Sequence, residues 1–175
     1  MIPETISPEL RTVLRKLKLS GMLDTLSERI TLARARKMAH QDFLELVLCD
    51  EITRRDSASA TRRSRAARLD PAMTLDAFDE QAAASFDRDL WAELVTLRFV
   101  QAGRCAVILG PVGVGKTHMA CALGHVAVRR RLSVTFWRTD KLMRHLKASR
   151  LDATHEQEMR RLIRADLLIL DDFAL

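Results

Sequence analysis

An α/β core preceded by a small all-α domain is the fold class predicted by this 175-residue sequence, on three observations. A glycine-rich stretch, Gly110-Pro111-Val112-Gly113-Val114-Gly115-Lys116-Thr117, lies between the unbroken apolar run Cys105 to Leu109 and a helical stretch from Thr117 to Arg131. A second apolar run, Leu167-Leu168-Ile169-Leu170, ends in Asp171-Asp172. Everything before Leu69 has helical rather than alternating spacing. Short apolar runs separated by helices are the pattern of a parallel sheet covered by helices.

Taken in order, Ser7-Pro8-Glu9 starts a helix, with a capping hydroxyl, a proline at the first position and an early carboxylate. Leu10, Val13, Leu14 and Leu17 share one face of it, and Ser20-Gly21 stops it. A second helix is expected from about Met22 to Lys37, with Met22, Leu23, Leu26, Ile30 and Ala33 inward. A third starts near Gln41-Asp42 and packs through Phe43, Leu46, Val47 and Ile52. It continues into Arg54, Arg55, Arg62, Arg63, Arg65 and Arg68, a segment too charged for a core. That segment is either a solvated basic linker helix or a helix lying along a phosphate backbone. With no aromatic residue between Phe43 and Phe78, duplex contact is favoured over base stacking.

Leu69-Asp70-Pro71 breaks the helix and sets the expected boundary between a helical domain over 1–69 and the core over 70–175. Thr74 to Asp79 is a connector whose Leu75 and Phe78 pack on the core, a base pocket being the alternative. Phe86 to Ala102 is helical, with Trp91 in the core, and ends at Gly103. Beyond the glycine-rich loop and its helix, Leu132 to Trp137 is a strand, Thr139-Asp140 caps a further helix, and another covers Glu156 to Arg164. The last strand is Leu167 to Leu170.

Charge is uneven along the chain. Residues 1–69 carry 14 Lys/Arg and 9 Asp/Glu, net +5, against 15 and 14, net +1, for the rest. A basic appendage beside a near-neutral core is the balance of a protein directed to nucleic acid. The three cysteines, Cys49, Cys105 and Cys121, form no C-x-x-C pair and are expected as buried thiols in a reducing cytoplasm. No apolar run reaches the ~18 residues of a membrane span, so no membrane partner and a cytoplasmic location are expected. The five histidines have no metal-ligand spacing and are read as structural or surface groups.

The chemistry lies in the glycine-rich stretch. A G-x-x-x-x-G-K-[ST] match joining a strand to a helix cradles phosphates on backbone N–H groups and the helix N-terminus. Gly110 through His118 are the expected nucleotide-binding residues: Lys116 reaches the β- and γ-phosphates, and the Thr117 hydroxyl ligates Mg²⁺. Asp171, at the carboxyl end of a parallel strand, belongs to the same sheet edge and holds the same ion, while Asp172 is the candidate for polarising the attacking water.

These residues give the chain a resemblance to the IstB-like ATPases, helpers of insertion-sequence transposition related to DnaC-type helicase loaders within the AAA+ superfamily. It is carried by Leu17-Lys18-Leu19-Ser20-Gly21-Met22, the arginine-rich helix from Glu51 to Arg68, Thr74 to Asp79, Gly110 to Thr117 with His118-Met119-Ala120, and Leu167 to Phe173. The resemblance implies a P-loop NTPase of AAA+ type with a three-layer αβα core. It also implies ATP and Mg²⁺ as cofactors, binding to double-stranded DNA, self-association into an oligomer and a transposase partner. Asp172 departs from the usual AAA+ glutamate, which implies slow hydrolysis. The family pattern continues through more strands, a polar sensor and an arginine finger, whereas the sequence ends three residues after Asp172 (175 − 172), so a truncated product or fragment is expected. A helicase loader is the nearest alternative, and a non-enzymatic remnant that binds DNA or partner subunits is the alternative of another class. A small-molecule kinase shares the loop but leaves the basic helix without a purpose.

Overall fold

The computed structural model describes residues 6–79 and 86–173. Its elements are α1 (Pro8–Lys16), α2 (Leu23–Ala35), α3 (His40–Ala66), α4 (Arg88–Val95), α5 (Arg98–Gln101), α6 (Lys116–Arg129), β1 (Val134–Arg138), α7 (Thr139–Leu151), α8 (His155–Ile163) and β2 (Leu167–Asp171), so the chain is a mixed helical protein with a small parallel sheet. It divides into two compact units, residues up to Ser59 and residues from Ala60, a division that falls within α3.

The first unit is helical. Ser7 caps α1 by accepting from the Leu10 N–H at 3.2 Å, with Pro8 at the first helical position, as the sequence dictates. Its core is Ile6, Leu14, Met22, Leu26 and Val47, flanked by Leu19, Leu23, Ile30 and Phe43. Arg29 clamps α2 to α3 through a bidentate pair with Asp50, at 2.6 and 3.2 Å. The apolar faces are wider than this core. Leu14 is buried, but Leu10 and Val13 on α1, Leu17 at its C-cap and Ile52 on α3 are exposed, because the small interior is already filled by the residues named.

The second unit is built around α6, whose residues Cys121 to His125, Ala127 and Val128 are buried. A Cβ on Gly124 would lie 2.8 Å from Leu69 Cδ2 and 2.9 Å from Ile169 Cδ1, so the glycine lets the helix backbone approach the segment after α3 and strand β2. β1 and β2 are parallel, in register from Val134 opposite Leu167 to Arg138 opposite Asp171. The Phe136 N–H donates to Ala67 O at 2.9 Å, which places the chain after α3 along the other edge of β1. Trp91, 4% exposed, and Leu97, 1% exposed, complete the core with Ala67, Leu69, Val134 and Ile169. Leu97, in the left-handed region at φ 58°, splits the expected long helix into α4 and α5, and the Arg130 guanidinium donates to the carbonyls of Val95 and Thr96 at the break.

Three expectations are corrected. Cys105 to Leu109 forms no strand and is largely exposed, Val107 at 78% and Leu109 at 87%. A strand exists only through its ladder, and no described residue supplies one to this run. Cys105 is therefore exposed, as is Cys49 on α3; Cys121 alone matches the buried thiol expected, and burial raises its pKa. The arginine-rich segment is helical only as far as Ala66, and Arg68 takes φ 65°. No helix among the described residues is long and apolar enough to cross a membrane.

Candidate nucleotide site

The loop from Gly110 to Thr117 delivers the chain into α6. Gly113 (φ 86°) and Gly115 (φ 90°) occupy the left-handed region, and Gly115 is the residue from which α6 starts. This conformation is open to glycine at little cost and turns successive N–H groups toward one point at a helix N-terminus. Val112, 97% exposed, lies at the tip. The Lys116 ammonium folds back over the loop and donates to Gly110 O at 2.9 Å and Pro111 O at 2.6 Å, so it sits over the concavity a phosphate would enter.

Thr117 and Asp171, 54 positions apart, meet here. The Thr117 hydroxyl lies 3.0 and 3.1 Å from the two Asp171 carboxylate oxygens. The meeting follows from topology: α6 packs against β2, and Asp171 is the last residue of that strand. A hydroxyl and a carboxylate, both hard oxygen donors, beside a glycine-rich loop fit a magnesium-phosphate pair. Thr139 steadies the strand end by donating its hydroxyl to Asp171 O at 3.0 Å.

Asp172 takes φ 51°, and its carboxylate turns to Arg138, whose guanidinium lies 2.8 Å away. Sequence reading missed Arg138. The signal was present: a parallel neighbour of the strand ending at Asp171 must end at the same sheet edge, and Arg138 is opposite Asp171 in the register. His118 is engaged beside the loop, its Nε2 2.8 Å from Thr74 O and its ring 5.3 Å from that of Phe78. Phe78 packs against Phe86 and Trp91 and lies 3.5 Å from where a Gly115 Cβ would be, so the connector braces the loop from behind.

Four of the six arginines singled out on and after α3 contact a partner within their own unit, although Arg54, Arg55 and Arg68 remain exposed. Arg54 and Arg55 bond the buried carboxylate of Glu51, each with a shortest distance of 2.7 Å, and Arg55 also donates to Lys18 O at 2.7 Å. Arg63 donates to Val128 O at 2.9 Å, and Arg68 lies 3.8 Å above the Trp137 ring. Arg62 and Arg65 are exposed.

With this geometry in place, comparison with known proteins is decisive. A family model described as IstB-like ATP binding protein matches residues 12–175. The chain belongs to the IstB-like family. A Mycobacterium tuberculosis relative, named as an ATP-binding protein in an insertion sequence, is 42% identical over 96% of this chain and 67% of its own length. Another, from Pseudomonas fluorescens and named for the insertion sequence IS1162 and ATP binding, is 33% identical over 93% of this chain and 71% of its own. The IS21 relative of Pseudomonas aeruginosa, named likewise, is 32% identical, and the chain spans 62% of it. The matched region takes in the loop, Asp171 and the arginine-rich helix of this IstB-like chain.

Proposed function

We propose that this IstB-like chain binds ATP with Mg²⁺ at the Gly110–Thr117 loop and, as part of an insertion-sequence transposition helper, engages duplex DNA and a transposase. The observation that carries the reading is the Thr117–Asp171 contact at 3.0 Å, which unites the two halves of a magnesium-nucleotide site from distant parts of the sequence. Gly113 and Gly115 hold the loop open to phosphate oxygens, and Lys116 exchanges its bonds to the Gly110 and Pro111 carbonyls for the β- and γ-phosphates. Thr117 and Asp171 hold the metal, which when bound supplies charge neutralisation to the phosphates. Arg62 and Arg65 are the exposed α3 arginines that reach a DNA backbone without leaving a hydrogen bond or ion pair to a described residue. A P-loop NTPase core of AAA+ type, with a three-layer αβα arrangement and self-association into an oligomer, belongs to the same reading.

The Arg138–Asp172 pair favours a second reading of the same site, binding of nucleotide without turnover, since a carboxylate engaged by a guanidinium must be released before it orients water. Titration with a fluorescent ATP analogue tests the binding claim. Lys116→Ala is expected to weaken binding at least about tenfold with the melting temperature unchanged, as the ammonium is lost from the phosphate site. Equal affinity in the variant sinks the proposal. Phosphate release by the unaltered chain, absent in Asp172→Asn, excludes the second reading.

A further inference from the structure

At the opposite end of the strands from the nucleotide site lies a groove of about 700 Å³, lined by Ser133 just before β1 and Thr135 within it, by Gln157, Glu158, Arg160 and Arg161 of α8, and by Arg164 just after that helix. The register separates the two places: Val134 is opposite Leu167 at the groove end, and Arg138 is opposite Asp171 at the nucleotide end. Four residue steps at about 3.3 Å each put roughly 13 Å between them.

The acidic groups around this groove are already engaged. Asp166 accepts from the Ser133 N–H and hydroxyl, at 2.7 and 2.6 Å, contacts that hold its carboxyl below the usual range. Glu158 bonds His145 Nε2 at 3.0 Å, and Glu156 pairs with Arg160 at 3.5 Å. The guanidiniums of Arg161 and Arg164 make no hydrogen bond or close ion pair with a described residue, although after the His145 bond the charge of Arg161 also helps to lower the Glu158 pKa; both arginines are exposed. The groove is also joined to the end of the arginine-rich segment. Arg68 lies over Trp137, Trp137 stacks on His145 with centroids 5.1 Å apart, and His145 bonds Glu158 on the groove wall.

We infer that the α8 groove, through Arg161 and Arg164 with Gln157 and Thr135 beside them, is a second contact surface for the phosphodiester backbone of nucleic acid. Guanidiniums beside amide and hydroxyl donors are the chemistry of phosphate contact. No aromatic side chain among the described residues lines the groove, which offers backbone contact rather than a platform for base stacking. Contact here is therefore sequence-independent and salt-sensitive. The choice of ligand rests on the duplex-binding reading above, and the experiment separates the two.

Binding of the full chain to a labelled duplex of arbitrary sequence is measured over a salt series for the unaltered protein, for Arg161→Ala/Arg164→Ala, for Arg161→Lys/Arg164→Lys and for Arg62→Ala/Arg65→Ala, with melting temperatures alongside. Removal of two phosphate contacts is expected to reduce the salt slope by about 1.8 and to raise Kd about tenfold, while the lysine pair retains the slope. If the α8 alanine pair leaves slope and affinity unchanged, the groove inference fails, and the duplex-binding reading survives wherever the α3 pair still loses affinity. Failure of the unaltered chain to bind duplex overturns both. Binding to poly-glutamate is measured in parallel, and its loss in the α8 alanine pair with duplex binding intact would make the groove a site for an acidic protein and overturn the inference.

Discussion

At Glu51 a carboxylate only 4% exposed keeps its charge because Arg54 and then Arg55 bond to it, which lowers its pKa from an ordinary 4.5 to about 2. The folded pKa is depressed, so the associated stability is fully present above 4.5 and is lost as pH falls toward 2. In Glu51→Gln that pH dependence is expected to flatten, with a loss of about 1–2 kcal/mol near neutrality, since the pair is charge-assisted but its arginines are half exposed. Urea midpoints by far-UV circular dichroism at a series of pH values check it; an unchanged acid profile contradicts it. The role of these arginines was not legible in the sequence, where a run of like charges gives no sign of a buried acid one turn away.

Helix α6 shows what an element demands of its sequence. Gly124 is tolerated in mid-helix because Leu69 and Ile169 methyls occupy the space a side chain would need, at 2.8 and 2.9 Å. Gly124→Ala is expected to cost about 1–3 kcal/mol by overpacking. Gly103→Ala, with φ 62° and nothing within 4 Å of the new Cβ, is expected to cost about 1–2 kcal/mol from backbone strain alone. Both are read from thermal unfolding. A cost for Gly124→Ala that Leu69→Ala fails to relieve would show that contact with Leu69 is not its source. Elements were legible where the signal is local: the Ser7 cap and Pro8 of α1, and the apolar run that became β2. Cys105 to Leu109 has the same apolar character as β2 and is no strand, because a strand needs a pairing partner and no described residue pairs with this run.

For the molecule as a whole, two separate clusters of buried side chains lie in two compact units, and both tryptophans, Trp91 and Trp137, belong to the second. Tryptophan fluorescence therefore follows the second unit, whereas far-UV circular dichroism follows both. In urea the two probes are expected to give non-coincident transitions, with ellipticity lost first as the smaller first core opens. Superimposable curves would show that the chain unfolds as one cooperative unit. The sequence by itself determined the glycine-rich loop, the helix it opens, the apolar run ending in Asp171 and the helical character of the first unit, since glycine placement, capping and apolar spacing act over a few residues. Only the tertiary structure decided that Thr117 meets Asp171, that Arg138 engages Asp172, that four of six arginines find a partner within the chain and that Arg161 and Arg164 face an open groove. Those are contacts between residues distant in the chain, and their partners are chosen by strand register and helix packing, which spacing along the sequence does not encode.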